Sequence, residues 1–349
     1  MRTCTRIGSV ATLVAGVAFV GAPALGGPPA VGYRTVLLGT LGGPSSTPLA
    51  LNDRGEVVGR SATAGGQTHP FRWRDGRMAD LGTLDGVDGG WGIAADINRS
   101  GTVAGQSRRG ATTHAVRWQH GEITDLGTLG GTASFATAIN DHGAIVGAST
   151  TADGSLHAFV WRAGRMTDLG VPGAGEVFAE DINNRGQIAG WRAPGDDGPS
   201  AAYVWQHGTT TFLPGTPYGS QARAINDRGD VVGAVFLAES SQAARWRQAR
   251  LELLGNLPGG NAGGATAVDD RGVILGAGNV APGSADDHAF LWRRGVFRDL
   301  SAAGVPNSAA DLNNRGAIIG TVPDTTGEAA TAALFLPGAG RSVSGPPTR

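Results

Sequence analysis

Lysine is absent from this chain, and cysteine occurs once. The single thiol, Cys4, lies among the first residues, so the remainder can hold no disulfide, no thiolate metal site and no cysteine nucleophile. Every basic residue is therefore an arginine, which we read as the codon bias of a G+C-rich genome. The 28 arginines face 29 acids, for a formal net charge of −1. With that balance neither nucleic acid nor an anionic membrane surface is an obvious partner. Long apolar runs are also missing after residue 20. The one that exists, Ile7 to Val20, is shorter than the roughly 18 residues that a spanning helix needs. No G-x-S-x-G elbow, H-E-x-x-H helix or phosphate loop opening a helix is found, so the commonest hydrolase, zinc and nucleotide signatures have no carrier.

Arg2 and Arg6, the apolar run, and the A-x-A pattern of Ala22 and Ala24 in "GAPALGG" form a secretory signal peptide. The expected layout is a leader at 1–24, a linker at 25–32, a folded region at 33–340 and a disordered tail at 341–349. Removing the leader takes away two arginines and no acid, moving the net charge to 26 − 29 = −3. The mature chain should be extracellular and monomeric, without membrane insertion.

What the sequence does hold is glycine, 59 residues of it, in a repeating pattern. "LNDRGEVVG", "INRSGTVAG", "INDHGAIVG", "INNRGQIAG", "INDRGDVVG", "VDDRGVILG" and "LNNRGAIIG" share one motif, anchored at Asn52, Asn98, Asn140, Asn183, Asn226, Asp269 and Asn313. The spacings are 46, 42, 43, 43, 43 and 44 residues. A glycine-rich period in the low forties with no helical periodicity predicts four-stranded propeller blades. Within one copy, "ATAI", "AIVGAS", "HAFVW" and "RMTDLGTL" read as strands joined by tight turns. Trp73, Trp118, Trp161, Trp205, Trp246 and Trp292 end six third strands and Phe335 the seventh, which suits an inter-blade core. The last copy lacks its fourth strand, whereas "YRTVLLGTLGG" at 33–43 stands alone before the first. The fold expected is all-β, a seven-bladed β-propeller of antiparallel blades closed by the N-terminal strand.

The Asn-Asp-x-Gly letters could form a calcium loop, but Arg99 occupies a would-be ligand position, and a turn accounts for the whole motif. His69, His114, His157 and His288 recur at one place per blade, so they should share one structural hydrogen bond. Asp96, Asp181 and Asp311 stand two before their anchors, where the other blades have alanine. They could ring the channel as a cation site, but with no histidine or further carboxylate beside them, bonding to neighbouring groups is expected. No metal or cofactor is predicted.

At "HAFVW" (157–161), with "DLGTLGG" (125–131) and "AINDHGAIVG" (138–147), the chain resembles the HAF family of extracellular repeat proteins, bacterial secreted chains. The resemblance covers roughly residues 33–340 and implies secretion and a repeat fold, with no catalytic residues to transfer. The triplet becomes "HPF" at 69–71, "HAV" at 114–116 and "AAY" at 201–203.

The function expected is non-catalytic binding of a polymer, such as a glycan, or of a surface protein. An extracellular hydrolase or lyase acting at the channel mouth and a structural envelope module are the alternatives. Because the turns after strands one and three are tight, ligand contacts should lie on the opposite, long-loop face. Trp91, Phe135, Phe178 and Tyr218, one before each first strand of blades two to five, and Trp191 in the other long loop of blade four, are the candidate ligand-binding residues.

Overall fold

The computed structural model describes residues 32–338 apart from 87–89, 174, 196–197, 285 and 324–328. The leader, linker residues 25–31 and the tail lie outside the described residues. Seven antiparallel sheets of four strands follow one another along the chain. Blade three is representative: Gly130–Ile139, Ile145–Thr151, Leu156–Arg162 and Arg165–Asp168, each paired with the next. The fourth strand is shorter than expected and ends at the aspartate of "DLG", Asp168, which pairs with Phe159. No helix among the described residues is long and apolar enough to cross a membrane.

The orphan N-terminal strand, Tyr33–Gly39, pairs antiparallel with Ala330–Pro337 and completes blade seven. Between blades seven and one, Ala332 N–H donates to Ser46 Oγ at 2.9 Å. Buried apolar side chains form seven clusters, each built from two adjacent blades, so the core is a ring of inter-blade seams. The seam between blades seven and one holds Leu38, Phe71, Trp73 and Leu334. The third-strand aromatics sit in these seams, as expected. Several of their indoles also reach back to the preceding blade: Trp118 donates to Gly82 O at 3.1 Å, Trp205 to Leu169 O at 2.9 Å and Trp246 to Pro214 O at 2.7 Å.

The two motif glycines have different causes. Gly143, in the hairpin, has φ of 76° and open space around it, so its role is conformational. The second glycine lies under a bulge of the first strand. A Cβ on Gly190 would stand 2.1 Å from Phe178 O and 2.7 Å from Tyr203 Oη. We expect Gly143→Ala to cost about 1 kcal/mol and Gly190→Ala about 3 kcal/mol or more, because the ring and strand beneath it must move. Denaturant titration of the two variants checks the ordering.

Candidate functional site: the central channel

All seven anchors converge on the axis, where they line one end of a cavity of about 270 Å³. Each anchor oxygen closes its own turn: Asn140 Oδ1 accepts from His142 N–H at 3.1 Å and Ala144 N–H at 3.0 Å. Each asparagine amide then reaches the neighbouring blade. Asn52 donates to Asn98 O, Asn98 to Asn140 O, Asn140 to Asn183 O, Asn183 to Asn226 O and Asn226 to Asp269 O, all at 2.9–3.1 Å. Asn313 donates to Asn52 O at 3.0 Å and carries the chain of bonds across the closing seam. A carboxylate has no proton to donate, so Asp269 breaks the ring and binds Arg271 instead, with N–O distances of 2.9 and 2.8 Å.

The next position forms an outer ring. Asp141 N–H donates to Asn184 Oδ1, Asn184 N–H to Asp227 Oδ1, Asp227 N–H to Asp270 Oδ1 and Asp270 N–H to Asn314 Oδ1, at 2.8–3.0 Å. Asn314 N–H reaches Asp53 Oδ1 at 2.9 Å. Arg99 has no oxygen to offer Asp53, and its guanidinium lies 3.6 Å from that carboxylate. These side chains staple one blade to the next, a use of the motif beyond the turn chemistry read in its letters.

One layer further in, Asp96, Asp181 and Asp311 are half-buried on the innermost strands. Each spans two blades with both oxygens. Asp96 accepts from Ile97 N–H at 2.7 Å and from Ile139 N–H of blade three at 2.8 Å. Asp181 accepts from Ile182 and Ile225, both at 2.7 Å, and Asp311 from Leu312 at 2.8 Å and Leu51 at 3.1 Å. Burial raises all three pKa values, to about 6, 7 and 8 respectively, against the opposing pull of the N–H donors. Asp96 and Asp181 repel Asp311, and Asp96 repels Asp181, which pushes in the same direction.

Towards the long-loop end, Phe178 and Trp191 stack with centroids 4.5 Å apart and planes 20° from parallel. They are cross-strand partners in blade four. The Trp191 indole donates to Glu180 Oε1 at 2.6 Å, Arg223 approaches the same oxygen at 3.5 Å, and Arg223 also donates to Gln221 at 2.9 Å. Two rings and a carboxylate–guanidinium–amide chain thus share one wall.

No protein-family model and no curated protein matches the chain. Among solved structures it is similar to a prolyl endopeptidase, at 14% identity and TM-score 0.56, covering 87% of this chain and 51% of that one. It is also similar to a puromycin-hydrolyzing peptidase of Mycobacterium tuberculosis, at 12% and 0.55, covering 88% and 53%. A third is the β-propeller domain of the Trilobed protease from Pyrococcus furiosus, at 13% and 0.51, covering 72% and 80%. The fold is a seven-bladed β-propeller. The chain spans about half the length of the two peptidases, and identities this low speak for fold alone.

Of the predicted ligand residues, Phe178 and Trp191 meet in the propeller wall. Phe135 and Phe178 lie within first strands, which begin earlier than their β-branched residues suggest, and Trp191 lies within a second strand that runs on to Ala193, so none of the three is in a loop. Phe135 pairs with Ala148 at the register where Phe178 pairs with Trp191. Trp91 does lie in the loop before its strand, half-buried, its carbonyl accepting from Arg108 N–H at 2.8 Å. Tyr218 is 56% exposed on a turn. The four histidines each bind the aspartate that ends the fourth strand of their own blade, in "DLG" for three and in "DLS" for Asp299: His69 to Asp80 at 2.7 Å, His114 to Asp125 at 2.9 Å, His157 to Asp168 at 2.6 Å and His288 to Asp299 at 2.7 Å. The other oxygen of Asp80, Asp168 and Asp299 accepts a backbone N–H two residues on, as Asp80 does from Gly82 at 2.8 Å, whereas Asp125 meets His114 with both oxygens and accepts from Gly127 N–H at 2.8 Å through Oδ1. The repeated histidine is therefore a clamp between the third strand and the end of the fourth.

Proposed function

We propose that this chain is a secreted, non-catalytic propeller that binds an extracellular polymer, a glycan foremost, at the long-loop end of its channel. The observation that carries this reading is the Phe178–Trp191 stack beside Glu180, Arg223 and Gln221, since rings next to a hydrogen-bonding chain suit a sugar's apolar face and hydroxyl rim. The eight tryptophans divide in its favour: six are third-strand core, leaving Trp91 and Trp191 surplus to the repeat. The resemblance to HAF repeat proteins supports export.

A glycan array and a cell-wall pull-down test this reading, with reducing ends measured in the same samples. Wild type should be retained without releasing product, and Trp91→Ala with Trp191→Ala should abolish retention. The stability cost should stay near 1–2 kcal/mol, because Trp191 is half-buried and its stack contributes about 1 kcal/mol. Unchanged retention in the double variant would refute the assignment. A hydrolase reading draws on Asp181, whose pKa of about 7 suits a general acid. Both its oxygens are held by backbone N–H groups, which favours the structural role. Product release by wild type that Asp181→Asn abolishes would select the hydrolase.

A further inference from the structure

On the tight-turn side, a crevice of about 390 Å³ opens between blades six and seven. Arg271, Arg293, Arg298 and Arg315 line it, with apolar walls that include Val273 and Val296, the latter 67% exposed. Four guanidinium groups around one small pocket are unusual in a protein of net charge −1.

The repeat explains why the charge accumulates here. Four residues after its anchor, blade one carries Glu56, which pairs with Arg72 at 2.9 Å and Arg74 at 3.4 Å. Blade five carries Asp230 at that place, paired with Arg247 at 2.7 and 2.8 Å. Blade six has Val273 instead, and Arg293, the counterpart of Arg74 and Arg247, has no acid partner among the described residues. Arg315 has none among the described residues either, and Arg271 pairs with Asp269. Blade three also replaces the acid, with Ala144, but His142 and Thr167 stand there where blade six places Arg271 and Arg298. Among the described residues, no other crevice between blades combines a missing acid with four arginines.

We infer that this crevice is a second binding site, for an organic anion that carries a carboxylate, sulfate or phosphate group on an apolar or ring-shaped body. Guanidinium forks bind such head groups through paired, charge-assisted hydrogen bonds. Val273, Leu291, Val296 and Pro337 supply contact for the body. The site lies away from the Phe178–Trp191 wall and does not depend on its function.

Ligand-observed NMR with phenyl phosphate, phenylacetate, inorganic phosphate and benzyl alcohol tests the inference on the full chain. At least one aryl anion should bind about tenfold more tightly than benzyl alcohol and than inorganic phosphate, and lose affinity as salt rises. Binding of both aryl anions, or of one alone, supports the site and names its head group. Arg293→Gln with Arg315→Gln should weaken that binding about tenfold or more. Arg247→Gln, at the acid-compensated crevice, should leave it unchanged. Arg293 and Arg315 are exposed, so the double variant should fold, which its melting curve verifies. Equal binding by the double variant, equal binding of the neutral alcohol or of inorganic phosphate, or no binding of either aryl anion at millimolar concentration would each overturn it.

Discussion

A chain beginning at Thr40 is expected to aggregate, or to melt far below the full-length protein. It lacks Tyr33–Gly39, the strand that covers Ala330–Pro337, and so exposes a row of unpaired N–H and C=O groups that templates association. It also loses Leu38, 5% exposed, and the packing of Val36 and Tyr33 against the last two seams. Burying a large apolar side chain contributes about 1.5–3 kcal/mol, so these three residues alone carry several kcal/mol, comparable with the whole stability of many domains. Size-exclusion chromatography and calorimetry decide the matter. A truncated chain that stays monomeric with an unchanged melting temperature would show that the ring does not need its N-terminal latch.

The second large effect is an inverted pH dependence. Asp96, Asp181 and Asp311 have folded-state pKa values of about 6, 7 and 8, above the ordinary 3.8 of an unfolded aspartate. Between pH 4 and 8 the native protein thus holds protons that the unfolded chain has released. Raising the pH through that window favours unfolding, by up to about 1.4 kcal/mol per pH step of one for each aspartate that still holds its proton. Glu56, Asp230 and Asp299 work in the opposite sense. Their pKa values are lowered by partners such as Arg72, Arg247 and Ser301 against the cost of burial, so the stability they provide is lost only below about pH 4. Stability should therefore peak near pH 4–5 and fall by several kcal/mol towards pH 8.5. Denaturant midpoints across that range measure it. Asp96→Asn, Asp181→Asn and Asp311→Asn combined should flatten the alkaline limb, whereas a midpoint that rises from pH 5 to 8 would contradict this electrostatic account.

Much of the architecture was legible because the repeat states it seven times. The anchor spacing gave the blade count, and the misplaced "YRTVLLGTLGG" gave the closure, which the pairing of Tyr33 with Pro337 bears out. The recurrence of His69, His114, His157 and His288 predicted a shared structural bond, though not that its partner is the aspartate eleven residues on. Contacts between blades were harder to read, since their partners lie some 43 residues apart and depend on ring geometry. A trace of the amide ring was present in the letters. Six anchors are asparagine, whereas an Asx-turn accepts aspartate equally well, so the preference signals a donor. The placement of the aromatics is legible only in part. Stacking of Phe178 on Trp191 requires the bulged register of blade four, which alternation in the sequence does not disclose. The arginine crevice is not legible in the sequence, because each of its residues occupies an ordinary turn or strand position until the fold brings four together.

The binding account turns on Trp191, and its indole N–H is directly observable by NMR among the signals of eight tryptophans. The polysaccharide fraction retained in the cell-wall pull-down should be titrated into the protein while those signals are followed. The account predicts that Trp191 shifts or broadens, because its hydrogen bond to Glu180 lies beside the ligand. Trp118, Trp205 and Trp246, which donate to carbonyls in the seams between blades, should stay in place. Retention of the polysaccharide with the Trp191 signal unmoved would contradict the account.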